Sequence, residues 1–179
     1  LCCGVFWVAM YWSQKASEWS DDASLAPYKN ARVDILFNQG CDQWYMSSEV
    51  NPCVYGNENG SRTVVLIGDS IASQWFPAVL DIYKEPEWKV VALIKSACPA
   101  VDEKQHYKRL GRDYFECYKW RDNAFKYITE IKPDVVIMSS GLMDFTQDQW
   151  VKGTSRVLGR IENDIEKITD NALNNAQMW

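Results

Sequence analysis

Thr63-Val-Val-Leu-Ile-Gly-Asp-Ser-Ile-Ala-Ser-Gln-Trp75 is the stretch from which the rest of the chain can be read. Four aliphatic residues, Val64 to Ile67, run into Gly68-Asp69-Ser70, and a helical stretch follows at once. Such a run reads as a buried strand. Ser70 then lies at its carboxyl end, where α/β sheets keep their chemistry. Gly68 lets the backbone turn sharply, and Ser70 falls near a helix start with unpaired amide hydrogens around it. Amides of that kind can stabilise an oxyanion, which makes Ser70 a candidate nucleophile. The competing reading is that Asp69 and Ser70 only cap the helix.

Outward from this stretch, strands and helices alternate. The pattern predicts strands over 63–67, 89–94 and 134–138, with helices over about 72–83, 117–131 and 155–174. A long loop, 95–116, separates the second strand from its helix. In the last helix Val157, Leu158, Ile161, Ile165, Ile168 and Ala172 recur at helical spacing as one apolar stripe. Alternation of this kind implies parallel strands joined by crossovers. Continuous apolar strands such as Val-Val-Leu-Ile fit a sheet covered on both faces. Gly56-Asn-Glu-Asn-Gly60 is a turn signal.

The 179 residues, 47% hydrophobic, suffice for one domain with a core. A net charge of −5 without a Lys/Arg cluster argues against a nucleic-acid partner. Nine Trp and nine Tyr are an excess, and those left exposed in a cleft could stack on sugar rings. Residues 1–12, Leu1-Cys-Cys-Gly-Val-Phe-Trp-Val-Ala-Met-Tyr-Trp12, carry no charge. The run is shorter than the ~20 residues a bilayer requires. It reads as the end of a transmembrane helix, with Trp7, Tyr11 and Trp12 suited to the membrane–water boundary. The alternative is a buried N-terminal segment of a soluble protein. Residues 13–37 are polar and read as a loop-like linker, and the folded domain is expected over 38–179. One His and no Cys-x-x-Cys spacing give no metal site. Six cysteines allow fifteen complete pairings, so spacing leaves the connectivity open.

The string from Gly68 to Leu80, GDSIASQWFPAVL, resembles the first block of the SGNH hydrolases, the GDS-type serine esterases and acyltransferases. It is more closely similar to the SGNH domains fused to the C-terminus of bacterial acyltransferase-3 membrane proteins. Lys95-Ser-Ala-Cys-Pro99, Cys117-Tyr-Lys-Trp120 and Pro133-Asp-Val-Val-Ile-Met138 match further blocks, and the resemblance spans about residues 38 to 170. It implies an α/β, flavodoxin-like three-layer sandwich with a mostly parallel sheet, incomplete at the C-terminus. It also implies disulfides Cys41–Cys53 and Cys98–Cys117, each contributing about 2–4 kcal/mol, and an oxidising compartment, the periplasm or outer surface. Cys2 and Cys3 would be free or lipid-facing.

The same resemblance assigns roles in the site. Ser70 is the nucleophile, and Gly68 and Asp69 support its turn. The oxyanion donors expected are the backbone amides of Ser70, of Ser96 (or its neighbour Ala97) and of Gly141, with Ser139 or Ser140 offering a hydroxyl. Two positions depart from the family pattern. Ile71 stands where a histidine is usual, and Met143 replaces the asparagine donor in Gly141-Leu-Met-Asp144, where Asp144 reads as a loop cap. Losing one such donor costs roughly 10²–10³ in rate if nothing replaces it. The family base is a His three residues after an Asp, and no Asp-x-x-His occurs; His106 lies in a solvated polar run. The chain is therefore expected to be a fragment without its last catalytic block, inactive by itself.

The function implied is transfer of an acyl group, acetyl in the expected case, through a Ser70 acyl-enzyme to a cell-surface glycan, without cofactor or metal. The donor would be delivered by a membrane acyltransferase module upstream in the same chain. A carbohydrate esterase, with water as acceptor, is one alternative. A non-catalytic glycan-binding domain, motivated by Ile71, Met143 and the missing base, is another.

Overall fold

The computed structural model describes residues 2–25, 36, 39–141 and 145–176, with the helix side chains of 4–21 at one end and up to 163 at the other. The chain divides into two units, Leu1–Ile35 and Leu36–Trp179.

In the first unit a helix, α1, runs Cys2–Asp21, followed by a 3-10 turn Ala23–Leu25. The loop expected from residue 13 onward is thus helical as far as 21. Residues 13–21 contain no Gly or Pro, and Lys15 pairs with Glu18 at 2.6 Å one turn on, so nothing stops the helix. Val5, Phe6, Trp7, Val8, Met10, Tyr11 and Trp12 are all exposed. Among the described residues no helix is long and apolar enough to cross a membrane. The rest of the expected linker, 26–35, and the Cys2 and Cys3 side chains lie outside the described residues.

The second unit is built on one sheet of four strands. They are β1 (Cys53–Gly56), β2 (Arg62–Gly68), β3 (Trp88–Ile94) and, last in the chain, β6 (Val135–Ser139). Their order is β1-β3-β2-β6. β2 is parallel to both neighbours, Leu66 opposite Ala92 on one side and Ile137 on the other. β1 adds an antiparallel edge, Cys53 opposite Ala92, which the sequence pattern did not announce. It is only four residues long and adjoins the turn at 57–60, closed by the Gly60 N–H donating to the Asn57 carbonyl at 2.9 Å. The sheet is therefore mostly parallel, as expected.

Strand alternation divides the core into two layers. Val65, Ile67, Val91 and Leu93 face α3 (Phe115–Ile131) and α4 (Gln147–Ala176), meeting Trp120, Phe125, Ile128, Val157 and Ile161. Val64, Leu66, Val90 and Ala92 face the other way, toward α2 (Ser70–Ile82), which covers them with Ala72, Phe76 and Val79. All these residues are buried, at about 1.5–3 kcal/mol for each large aliphatic or Phe side chain. Of the apolar stripe expected on α4, Val157 and Ile161 are buried, Leu158 is exposed, and the side chains of 165, 168 and 172 are outside the described set.

α4 begins eight residues earlier than its apolar spacing suggests. Thr146 and Gln149 form a reciprocal cap, the Thr146 N–H donating to Gln149 Oε1 at 2.9 Å and the Gln149 N–H to Thr146 Oγ1 at 3.3 Å. At Gly153 the helix closes on the 101–103 loop, where a Cβ would lie 3.3 Å from Val101 Cβ. The loop 95–116 contains a two-stranded ladder, β4 (His106–Tyr107) with β5 (Arg112–Asp113).

The Cys41–Cys53 and Cys98–Cys117 disulfides are both present, with Cα atoms 5.6 and 5.4 Å apart. The first ties the 41–53 lobe to β1, and the lobe is also held by Lys95 at the end of β3. This lysine is only 1% exposed; its ammonium donates to the Ser47 carbonyl at 2.6 Å and to the Trp44 carbonyl. Asp42 answers from the lobe, accepting the Trp44 N–H at 2.7 Å and the Ser96 N–H at 3.0 Å.

Two predictions follow from these anchors. A Cβ at position 68 would fall 1.8 Å from the Ser139 carbonyl oxygen, with φ at +158°. Backbone cannot yield as a side chain can, so Gly68→Ala is expected to cost at least the ~3 kcal/mol at the top of the usual overpacking range, read as a lowered urea midpoint or loss of folded protein. Burial holds the Lys95 ammonium at a pKa of about 8 against the ordinary 10.5, despite the opposing pull of Asp42 and Glu116. The folded state thus sheds this proton before the unfolded state does. The Lys95 contribution is lowest below pH 8 and rises as pH climbs toward 10.5. Between pH 7.5 and 9.5 wild type is expected to gain about 1–2 kcal/mol relative to Lys95→Met in urea unfolding; parallel curves for the two proteins would refute this.

Candidate active site

β2 connects to β3 on one side and the chain returns to β6 on the other, so the crevice between the carboxyl ends of β2 and β6 is the topological switch point of the sheet. Gly68 and Ser139 are register partners there. The next two residues along β2, Asp69 and Ser70, therefore sit at the mouth of that crevice.

Asp69 is the N-cap of α2, with fully buried side chain. Its Oδ1 accepts the Ile71 N–H at 2.8 Å and its Oδ2 accepts the Gly141 N–H, from beyond β6, at 2.9 Å. Burial pushes its carboxyl above the ordinary aspartate range, and the amides of Ile71, Gly141 and Ala72 oppose that shift without cancelling it. Asp69 thus does cap the helix, and it also ties the exit of β6 to the exit of β2. Ser70 is the first helical residue rather than a cap. It is half-buried, and among the described residues neither its hydroxyl nor its amide has a hydrogen-bond partner.

The other two expected donors are occupied. The Gly141 amide is committed to Asp69 and the Ser96 amide to Asp42. In both places a carboxylate takes nearby backbone N–H groups, fully buried at Asp69 and half-buried at Asp42. Ser96 is further fixed by its carbonyl, which accepts the Tyr114 hydroxyl at 3.1 Å. Its neighbour Ala97 has a left-handed φ of +55°, and its amide has no partner among the described residues. At this turn the open donor is therefore Ala97, not Ser96. Ser140 Oγ accepts the Ala100 N–H at 2.9 Å. Ile71 packs near Gly141, where an added Cβ would meet its Cγ1 at 3.5 Å. Met143 and Asp144 lie outside the described residues.

His106 is elsewhere in hydrogen-bonding terms. It lies exposed on β4 with Nδ1 3.4 Å from Asp113 Oδ1, and no hydrogen bond joins it to Ser70. It lines an open cleft of about 380 Å³ with Lys104, Tyr107, Phe145 and Gln149. The structure therefore gathers Gly68, Asp69, Ser70 and Gly141 at the switch point and joins no imidazole to them. Sequence reasoning missed Asp42 and Lys95 as the groups that fix the Ser96 turn. Their partners lie about fifty residues away along the chain, and no local pattern marks such pairs.

Comparison with known proteins supplies the family. The family model described as "SGNH domain (fused to AT3 domains)" matches residues 38–176, more than half of the chain. No curated protein matches. Among solved structures, the periplasmic domain of a lipopolysaccharide acetyltransferase from Salmonella ser. Paratyphi A is similar, with a TM-score of 0.47 and 19% identity. The similarity covers 61% of this chain and 42% of that one, so the match spans less than half of that protein domain. By its sequence, the chain belongs to the family of SGNH domains fused to AT3 domains.

Proposed function

We propose that this domain is a serine-dependent O-acyltransferase that passes a short acyl group to a hydroxyl of a cell-surface glycan. The observation that carries the reading is Ser70 itself: a half-buried serine at the switch point, opening a helix, with hydroxyl and amide both unengaged among the described residues. In the first step Ser70 Oγ bonds to the carbonyl carbon of an activated ester or thioester donor. The donor's carbon–heteroatom bond breaks, and the serine proton leaves with that heteroatom. In the second step a glycan hydroxyl attacks the Ser70 ester and the serine regains a proton. Water in place of the glycan makes the same site an esterase. Among the described residues, the Ser70 and Ala97 amides are open to a developing oxyanion, whereas carboxylates already hold those of Ser96 and Gly141. The AT3 fusion of the family supports a membrane acyltransferase module as the source of the acyl group. The exposed aromatic face of α1 supports a place at a membrane surface. Two disulfides support an oxidising compartment.

A non-catalytic glycan-binding role is the second reading, favoured by the two occupied amides and by the absence of a hydrogen bond between His106 and Ser70. Labelling separates the two. The full-length protein is expected to react at Ser70 with a serine-directed alkyl fluorophosphonate, located by peptide mass spectrometry, and Ser70→Ala is expected not to react. Equal labelling of the Ala variant overturns the enzyme reading. The polypeptide 1–179 alone is expected to hydrolyse p-nitrophenyl acetate only at the background rate. Turnover above background that disappears in His106→Ala would make His106 the base and overturn the placement described above.

A further inference from the structure

Tyr118 pins the 104–108 segment through its hydroxyl, which accepts the Gln105 N–H at 2.6 Å and donates to the Gln105 carbonyl at 2.7 Å. The Tyr114 N–H donates to the same carbonyl at 3.0 Å. Between this held segment and the entry to α4 lies the open cleft of about 380 Å³ beside His106. Two of its lining residues are aromatic. Tyr107 stacks on the buried Tyr114 with centroids 5.2 Å apart, and Phe145 meets Trp150 edge-on at 6.5 Å. Each ring is half-buried and backed by a second ring.

The chain as a whole carries −5, yet Lys104, His106 and Lys108 line this cleft and, among the described residues, no acid does. The carboxylate beside it, Asp113, is the ladder partner of His106 and lies 3.4 Å from its Nδ1. Gln149 offers donors, because its Oε1 already accepts from the Thr146 N–H and hydroxyl. Gln105 Oε1 is buried without a hydrogen-bond partner among the described residues. That is a cost which a ligand hydroxyl removes when the amide turns toward it. Aromatic faces suit the C–H side of a pyranose, the amides its hydroxyls, and the lysines a negative substituent. A cavity of about 150 Å³ holds benzene, so the cleft admits a six-membered sugar ring with its substituents.

We propose that this cleft binds an acidic sugar, a pyranose bearing a carboxylate or a phosphate, with Lys104 and Lys108 on the anion and Phe145 against the ring. Residues 104–108 follow the carboxyl end of β3 and Phe145 follows that of β6, so both leave the sheet at the end that carries the Ser70 turn. The assignment rests on a glycan as ligand, which both readings of the domain share, and needs no chemistry at Ser70.

His106 is the single histidine of the 179 residues, so its Cε1–H resonance reports on the cleft unambiguously. The chain is titrated at fixed pH and ionic strength with glucuronate, glucose 6-phosphate, glucose, acetate and inorganic phosphate. At least one acidic sugar is expected to shift the resonance saturably, with an affinity about fivefold or more above glucose and the bare anions. The tighter of the two acidic sugars identifies the acid group. Lys104→Gln combined with Lys108→Gln is expected to weaken that sugar about 5–10-fold, and Phe145→Ala about threefold. Thermal unfolding checks the variants; should one not fold, the ratio of acidic sugar to glucose and bare anion in wild type decides alone. Equal binding of the acidic sugars and the bare anions means an adventitious ion only and overturns the site. Glucose binding as tightly as the acidic sugars overturns it too, as does the absence of a shift with every probe. Folded variants that bind like wild type overturn the roles of the lysines and Phe145. Labelling of Ser70 is read separately: losing the cleft leaves acyl transfer standing, and an unlabelled Ser70 leaves the cleft standing.

Discussion

Where β2 and β6 run out side by side, the Ser139 carbonyl is packed against Gly68 so closely that the two backbones leave no space for a Cβ. Close approach here does more than pair two strands. It brings the exit of β6 within reach of the Asp69 carboxylate, which holds the Gly141 amide with one oxygen and the first turn of α2 with the other. One buried side chain thereby sets the relation between the strand end, the loop beyond it and the helix that carries Ser70. The carboxylate is costly to bury, and the N–H groups around it offset that cost. Their orientation is consequently fixed by electrostatics as much as by packing.

A second clamp of the same kind operates across β3. Asp42 accepts the Ser96 and Trp44 amides, while Lys95 donates to the Trp44 and Ser47 carbonyls of the same lobe. Between them the two acids hold the Ile71, Gly141, Trp44 and Ser96 amides. Among the described residues the Ser70 and Ala97 amides carry no such bond. A carboxylate at each neighbouring turn also disfavours negative charge there, which narrows where an oxyanion can settle.

The strands and the Ser70 turn were legible in the sequence because short-range physics writes them. Four aliphatic residues ending in Gly-Asp-Ser specify a buried strand and a sharp turn into a helix, and the structure has β2 and α2 at that place. The Thr146-x-x-Gln149 cap was equally local and marks the true start of α4; apolar spacing alone begins that helix too late, because its first two turns pack through Gly153 and Trp150. The polarity of residues 13–21 reads as loop, whereas their helix propensity and the lack of Gly or Pro carry α1 on to Asp21. β1 was hidden by its length and by a turn signal at its end. The commitments of Ser96 and Gly141 were beyond local reading, since their acidic partners lie 54 and 72 residues away. Lys95 illustrates the same limit: a lysine at a strand end is expected in water, and only the fold shows that carbonyls from another segment surround it.

The loop closed by Cys41 and Cys53 contains Asp42 and the Trp44 and Ser47 carbonyls. Every group with which the lobe grips Ser96 and Lys95 is therefore carried on a segment whose ends a single covalent bond holds together. With that bond reduced, the segment regains the chain entropy of an open loop, and the grip must be maintained by hydrogen bonds alone. The Cys41–Cys53 bond thus constrains the same short segment that supplies the hydrogen bonds to the backbone and side chain at the end of β3.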